Sequence, residues 1–145
     1  MERYLFGILM FGAGMLAALQ PPVNAALARR TNSLMATMIS FAVGTIALLV
    51  VTLARNDLAL AGVRGAPWWQ LTGGLLGAAI VFGTVVVLPR LGATGVVASV
   101  LAGQLAGGVL IDRFGITGVP VVGLNWSRMA GILLLLAGGA LVLRR

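Results

Sequence analysis

The sequence predicts an all-α integral membrane protein with five transmembrane helices. Of its 145 residues, 60% are hydrophobic and only 9% are charged, whereas soluble domains carry about 25% charged residues. Mean hydropathy is +1.09. Five apolar runs approach the roughly 20 helical residues that cross a hydrocarbon core about 30 Å thick. With too few charges to cover a water-facing surface, the chain is expected to form a single transmembrane domain over residues 1–145.

The first span is predicted at residues 4–28, with an interruption inside it. The stretch "ALQPPVNAALARR" places Pro21 and Pro22 between two amide side chains. A proline has no N–H to donate, so the carbonyls of Ala17 and Ala18 lose their helical partners. We therefore expect a helix break at these two prolines.

The other four spans are bounded by capping, helix-breaking and charged residues. In the stretch "TNS", Asn32 or Ser33 can cap the second helix. Pro89 is expected to end the third. These signals predict helices at residues 34–53, 69–88, 93–111 and 127–143.

Glycine is abundant, with 21 residues, and this fits helices that pack in lipid. Small residues let helix backbones approach closely where no hydrophobic force draws helices together. The stretches "GGLLG" and "GQLAG" each hold a GxxxG pair, Gly73 with Gly77 and Gly103 with Gly107. We interpret all four glycines as helix-packing residues, a common signal that indicates no function.

The composition excludes several kinds of chemistry. The chain has no cysteine and no histidine, and its acids are Glu2, Asp57 and Asp112. A zinc site and a Ser-His-Asp or Cys-His nucleophile therefore cannot be built. We predict no catalytic residue, metal or cofactor, and hence no enzyme. The net charge of +7 comes from scattered arginines, which argues against nucleic acid as a partner.

The arginines are balanced across the predicted membrane. With five spans, one side holds Arg3, Arg55, Arg64, Arg113 and Arg128. The other side holds Arg29, Arg30, Arg90, Arg144 and Arg145. Orientation follows an excess of Lys and Arg in short loops, and five on each side leaves none.

This balance favours insertion in both orientations. Two opposed copies can pair about a two-fold axis in the membrane plane, the symmetry that many transporters reach with inverted repeats. We see no internal repeat, so the second half would be a second copy. The alternative is one topology fixed by the first helix or by a partner.

Three amide side chains are candidate substrate-binding residues. Gln104 lies about 3 Å along the axis from the centre of the fourth span, and Gln20 and Asn24 share a face of the first. Gln20 is about 6 Å from the midplane and Asn24 about 12 Å, so Gln20 is the better candidate. For Gln104, ligand contact and an interhelical hydrogen bond are equally weighted. A plain proline kink, with the amides bonding the freed carbonyls, is the alternative for the first span.

Asp112 is the candidate coupling residue, although a structural role is favoured. It ends the fourth span beside Arg113, where an interfacial ion pair or a helix-end role is expected. No Asp or Glu lies inside a predicted span, so a neutral, zwitterionic or weakly anionic substrate is predicted. The hydroxyls of the span residues are expected to bond their own helices; these residues are Thr37, Ser40, Thr45, Thr72 and Thr84.

Three long stretches, "WWQLTGGLLGAAIVF", "LGATGVVASVLAGQLAGGVLIDRFG" and "GILLLLAGGALVLRR", resemble the YdcZ-like family of small bacterial inner-membrane proteins. This family belongs to the drug/metabolite transporter superfamily. "QPPVNAALARRTNS" also fits, and Gln104 to Asp112 is the most specific part. The resemblance implies five helices, an exporter role, and members that occur as dual-topology single genes, opposed pairs or fused doubles. It implies no settled substrate and no functional residues.

We therefore expect a small exporter of the bacterial inner membrane that uses alternating access in an antiparallel homodimer. Its partners would be the lipid bilayer, a second copy of itself and a small-molecule substrate. The alternatives are a passive channel for a small solute or ion, and an accessory membrane subunit without transport.

Overall fold

The protein is all-helical, as predicted. The computed structural model describes residues 2–118, 121–123 and 125–144; Arg145, which enters the charge balance, lies outside them. No strand occurs in these ranges. The α-helices are α1 (Glu2–Ala28), α2 (Ser33–Ala54), α3 (Leu60–Arg64), α4 (Gly73–Phe114) and α5 (Trp126–Leu143). Two short 3₁₀ helices cover Trp68–Thr72 and Ile116–Gly118.

Four segments of the described chain are long and apolar enough to cross a membrane. They are Tyr4–Ala28, Ser33–Ala54, Trp68–Phe114 and Trp126–Leu143. The third contains the 42 residues of α4, which a non-helical residue divides into two stretches. Each stretch has about the 20 residues that cross a hydrocarbon core, so α4 has the residues for two of the predicted spans.

The break within α4 lies at Gly92, and the prediction that Pro89 ends a helix is wrong. Pro89 lies inside the helix, and Gly92 has φ 70° and ψ 169°, outside the helical region. The ring of Pro89 fixes φ near its helical value, so the helix can pass through at the loss of one hydrogen bond. A positive φ strains residues that have a Cβ, which places the break at glycine three residues later.

The predicted interruption of α1 is also corrected. The helix runs without a break from Glu2 to Ala28, with Pro21 and Pro22 inside it. Membrane helices tolerate proline where neighbouring groups cover the freed backbone. The chemistry behind the prediction still holds, because neither proline can donate to the carbonyl four residues before it.

Asparagine side chains cap two helices. Asn32 accepts a hydrogen bond from the Met35 N–H at 2.8 Å, which settles the choice between Asn32 and Ser33 at the start of α2. Asn125 accepts one from the Arg128 N–H at 2.8 Å at the start of α5. Both caps satisfy a donor that a helix N-terminus otherwise leaves free.

The chain forms two compact units, Met1–Pro89 and Arg90–Arg145. In the first unit α1 packs against α2, with Ala25 and Ala36 buried on either side of the connecting turn. Helix α4 approaches α2 at Gly77, where a built Cβ would lie 3.2 Å from the Phe41 ring. No such neighbour stands within 4 Å of Gly73, the other glycine of this GxxxG pair.

In the second unit, α4 beyond Gly92 approaches α5 through two glycines. A Cβ at Gly139 would lie 3.7 Å from the Ala98 carbonyl oxygen, and one at Gly95 would lie 3.6 Å from Leu143. Small residues thus shape this contact. The GxxxG pair of Gly103 and Gly107 has no neighbour within 4 Å.

Gly77→Ala should stabilise the protein less than Gly83→Ala. Both glycines lie inside α4, where alanine is favoured over glycine by about 1 kcal/mol. A methyl group at Gly83 meets nothing within 4 Å, whereas at Gly77 it meets the Phe41 ring at 3.2 Å. Thermal unfolding in detergent should show a rise for Gly83→Ala and a smaller rise or a fall for Gly77→Ala. Equal shifts would contradict the close contact between α2 and α4.

Candidate functional site

Gln104 lies on an open face of α4. Its side chain is exposed, and it occupies the middle of the stretch that follows Gly92. A Cβ built at Gly107 or Gly108, one turn further on, would meet nothing within 4 Å. An uncovered amide at the centre of an apolar span is costly in lipid. This face therefore requires a cover that the described residues of the second unit do not supply.

The two amides of α1 lie in different environments although they are four residues apart. Gln20 is exposed, whereas Asn24 is 5% exposed. The difference arises around the helix axis, because Pro21, Asn24 and Ala25 are buried on one face of α1. Gln20 directly precedes the buried Pro21 and lies outside that face.

The Asn24 amide is not satisfied within the described chain. Its Nδ2 is buried and has no hydrogen-bond partner. A buried donor without an acceptor costs about 1–3 kcal/mol, and most such groups in folded proteins find a partner. The sequence ranks Gln20 above Asn24 by depth alone. The signal for Asn24 lies in its neighbours, because Ala25 and Ala36 are small enough for α1 and α2 to approach closely.

The structure brings part of the predicted site together. Gln20 and Asn24 share α1 with Pro21 and Pro22 in the first unit. Gln104 belongs to the second unit. Each group is defined within its own unit, and the meeting of Gln104 with the α1 amides stays a prediction.

Three of the predicted hydroxyl side chains bond their own helices. Thr37 donates to the Ser33 carbonyl at 2.8 Å, Thr72 to the Trp69 carbonyl at 2.7 Å and Thr84 to the Val81 carbonyl at 2.8 Å. As expected for threonine in apolar helices, each hydroxyl already donates its proton to a backbone carbonyl. They are therefore not free to donate to a ligand.

Asp112 in the last turn of α4 pairs with Arg128 in the first turn of α5. The carboxylate accepts from Nη2 of the guanidinium. The expected ion pair is present, but its partner is sixteen residues away and not the adjacent Arg113. Successive residues of a helix point in different directions, whereas Arg128 returns to Asp112 from the next helix. The side chains are 31% exposed for Arg128 and 22% for Asp112.

Backbone contacts reinforce this junction. The Val122 N–H donates to the Asp112 carbonyl at 3.1 Å, and the Asn125 cap fixes the backbone of Arg128. Nη1 of Arg128 is buried without a partner. The carboxylate of Asp112 thus has a cation of its own and is a poor counter-charge for a transported cation.

These features define the class of protein: an integral membrane protein of apolar helices whose few polar groups lie at helix junctions and on two helix faces. The sequence matches the family described as "Putative inner membrane exporter, YdcZ" over residues 5–141. It is 33% identical over 114 residues to the inner membrane protein YdcZ of Escherichia coli (strain K12), covering 77% of this chain and 76% of that protein. The chain belongs to the YdcZ family of inner-membrane proteins. No solved structure is significantly similar to it.

The family resemblance inferred from the sequence is therefore confirmed, and so is the location in the inner membrane. The family's description as exporters supports a membrane transporter and a non-enzymatic role. The comparisons identify no site residue and no substrate.

The Asp112–Arg128 pair should stabilise the junction of α4 and α5. Asp112→Asn and Arg128→Gln should each lower the free energy of unfolding by about 1–3 kcal/mol, because each leaves a half-buried partner unpaired. The double variant should lose less than the sum of the two. Thermal unfolding in detergent measures all three, with Arg113→Gln as the control. Additive losses, or an equal loss in Arg113→Gln, would contradict the pairing.

Proposed function

We propose that this protein is an exporter that works by alternating access as an antiparallel homodimer. The observation that carries the proposal is the exposed Gln104 amide at the centre of a membrane-length stretch of α4. In lipid such a group needs protein or a water-filled path beside it. Membership of a family described as exporters supports the water-filled path.

The cover for Gln104 is a second copy of the chain. Gly103, Gly107 and Gly108 leave open space around the amide. Glycine faces of this kind let another helix approach at short distance. Gln104 of the second copy would give each amide a hydrogen-bond partner. The remaining donors and acceptors of the two amides would line a path.

The second copy is inverted with respect to the first. The two stretches of α4 on either side of Gly92 count as two crossings, which makes five in all and puts the termini on opposite sides. The arginines then balance at five on each side, so neither orientation is favoured. Opposed copies share a two-fold axis in the membrane plane. When the two copies exchange conformations, one central site opens first to one side of the membrane and then to the other.

The substrate is a small neutral, zwitterionic or weakly anionic solute. Gln104 and Gln20, with Asn24 beside the helix connection, supply amides, and α1 supplies the carbonyls freed by its prolines. A cation in low dielectric needs a counter-charge. Asp112 already pairs with Arg128, so coupling through that carboxylate is not part of the proposal.

Topology tests the antiparallel arrangement. Reporter fusions at the C-terminus should show both cytoplasmic and periplasmic populations. Replacing Arg144 and Arg145 by Gln should shift the population towards a cytoplasmic N-terminus, because that side then carries two more arginines. The matched control, replacement of Arg55 and Arg64, should shift it the opposite way. A single orientation that neither pair of replacements shifts would contradict the antiparallel dimer.

Ligand binding and transport test the site. A panel of amino acids, organic acids, sugars and tetraphenylphosphonium is screened by thermal stabilisation of the purified protein, since a bound solute raises stability by mass action. Uncharged or weakly anionic solutes should stabilise it and show saturable exchange in proteoliposomes. Gln104→Leu should abolish the stabilisation and leave the dimer assembled, and Gln20→Leu should weaken it.

Other results of these experiments would indicate one of the alternative functions or a different role for a site residue. Flux without saturation or exchange identifies a channel. Neither binding nor flux identifies an accessory subunit. Loss of the dimer in Gln104→Leu, with binding retained by the monomer, makes this amide a packing group. Stabilisation by tetraphenylphosphonium that Asp112→Asn removes would make Asp112 the coupling residue.

A further inference from the structure

We infer that Asn24 is the principal hydrogen-bond donor to the substrate, and that the substrate group it binds is an acceptor such as a carboxylate or an amide carbonyl. This inference rests on the proposed transport function. It names the bound chemical group and moves the centre of the α1 site from Gln20 to Asn24.

The first step is the unmet donor. Asn24 is 5% exposed and its Nδ2 is buried without a partner. What Asn24 lacks is an acceptor, and a ligand oxygen supplies one.

The second step is why this donor is held ready. Pro21 is buried one turn before Asn24, and its ring stiffens the backbone there. Ala25 and Ala36 pack the same region tightly, at 6% and 0% exposure. An amide fixed in this way loses little freedom when it binds, which raises the affinity for an acceptor. The exposed Gln20 side chain has no such support.

The third step is charge. Arg29 lies five residues beyond Asn24, about 7.5 Å along a helix axis. Both Arg29 and Arg30 are exposed at the connection of α1 and α2. Inside α1 the nearest acid is Glu2, at the opposite end of the helix. This positive approach attracts anions and polar acceptors and repels cations.

The test observes the Asn24 amide directly. The full-length protein is labelled with ¹⁵N at asparagine and titrated in detergent with benzoate, benzamide and benzyltrimethylammonium. These probes share a ring, but the cation has no acceptor. The side-chain NH₂ signal of Asn24 should move saturably with benzoate and benzamide and stay still with benzyltrimethylammonium. The capping residues Asn32 and Asn125 serve as internal controls and should not move.

Variants connect the signal to binding. Asn24→Leu should weaken benzoate binding at least tenfold, because it removes the donor. The isosteric Asn24→Asp should do the same at a pH at which the new carboxyl is ionised and can only accept. Asn24→Thr keeps a hydroxyl donor and should retain part of the affinity, which covers the case in which Asn24→Leu does not fold. Asn56→Asp is the matched control, since it makes the same chemical change in an exposed turn of φ 52°.

Several results would overturn the inference. An Asn24 signal that benzyltrimethylammonium moves as strongly as benzoate would remove the acceptor specificity. A signal that no probe moves, while solutes from the thermal screen still bind in a Gln104-dependent way, would refute Asn24 and leave the exporter intact. Dissociation of the dimer in Asn24→Leu, with no probe response, would make the amide a contact between copies. Probe binding at Asn24 without any flux in proteoliposomes would instead count against the exporter.

Discussion

The constraint that governs this protein is the cost of a polar group in hydrocarbon. In water an exposed amide is unremarkable, but in a bilayer it must bond to protein or water. Apolar exposure, by contrast, carries no penalty there, and most of each candidate span faces outward. The few polar side chains therefore hold most of the information about what the chain binds, and their satisfaction or lack of it separates structural from functional roles.

Applied to the described residues, this constraint sorts the polar groups into two sets. Asn32 and Asn125 accept backbone protons at helix starts, and Thr37 donates to its own helix. Asp112 and Arg128 neutralise each other where α4 meets α5. These groups hold the helices in place. The amides of Gln20, Asn24 and Gln104 have no such structural role among the described residues, and the functional proposals therefore rest on them.

The sequence predicts the all-helical class and the membrane-length apolar segments, because length and hydropathy decide them. It fails where proline is concerned. Both Pro89 and the Pro21–Pro22 pair look like helix ends, yet the helices continue through them. Proline's φ suits a helix, and its missing donor and its ring's clash with the carbonyl four residues earlier weaken the helix without ending it here. Gly92 is the true break. A positive φ leaves no mark in a sequence with 21 glycines, so its position could not be read.

In the candidate site too, residue type can be read from the sequence, whereas the environment of each residue depends on the fold. The amides could be found from the sequence because they stand out in an apolar chain, and their depth follows from counting residues. Burial could not be counted, because it depends on which face of α1 meets α2. Likewise the partner of Asp112 lies sixteen residues away on the next helix, and only the fold brings it near.

The balanced arginines and the open glycine face support the proposed second copy in different ways. Charge balance concerns insertion and leaves the orientation open, whereas the face around Gln104 concerns packing and requires a cover. A parallel copy would supply a cover but would bring both sites to face the same side. The proposed inverted copy would supply the cover and would also make the two sides of the membrane equivalent, so that a short chain would gain the symmetry that longer carriers build from internal repeats. The two observations together therefore favour the antiparallel dimer over either a monomer or a parallel pair.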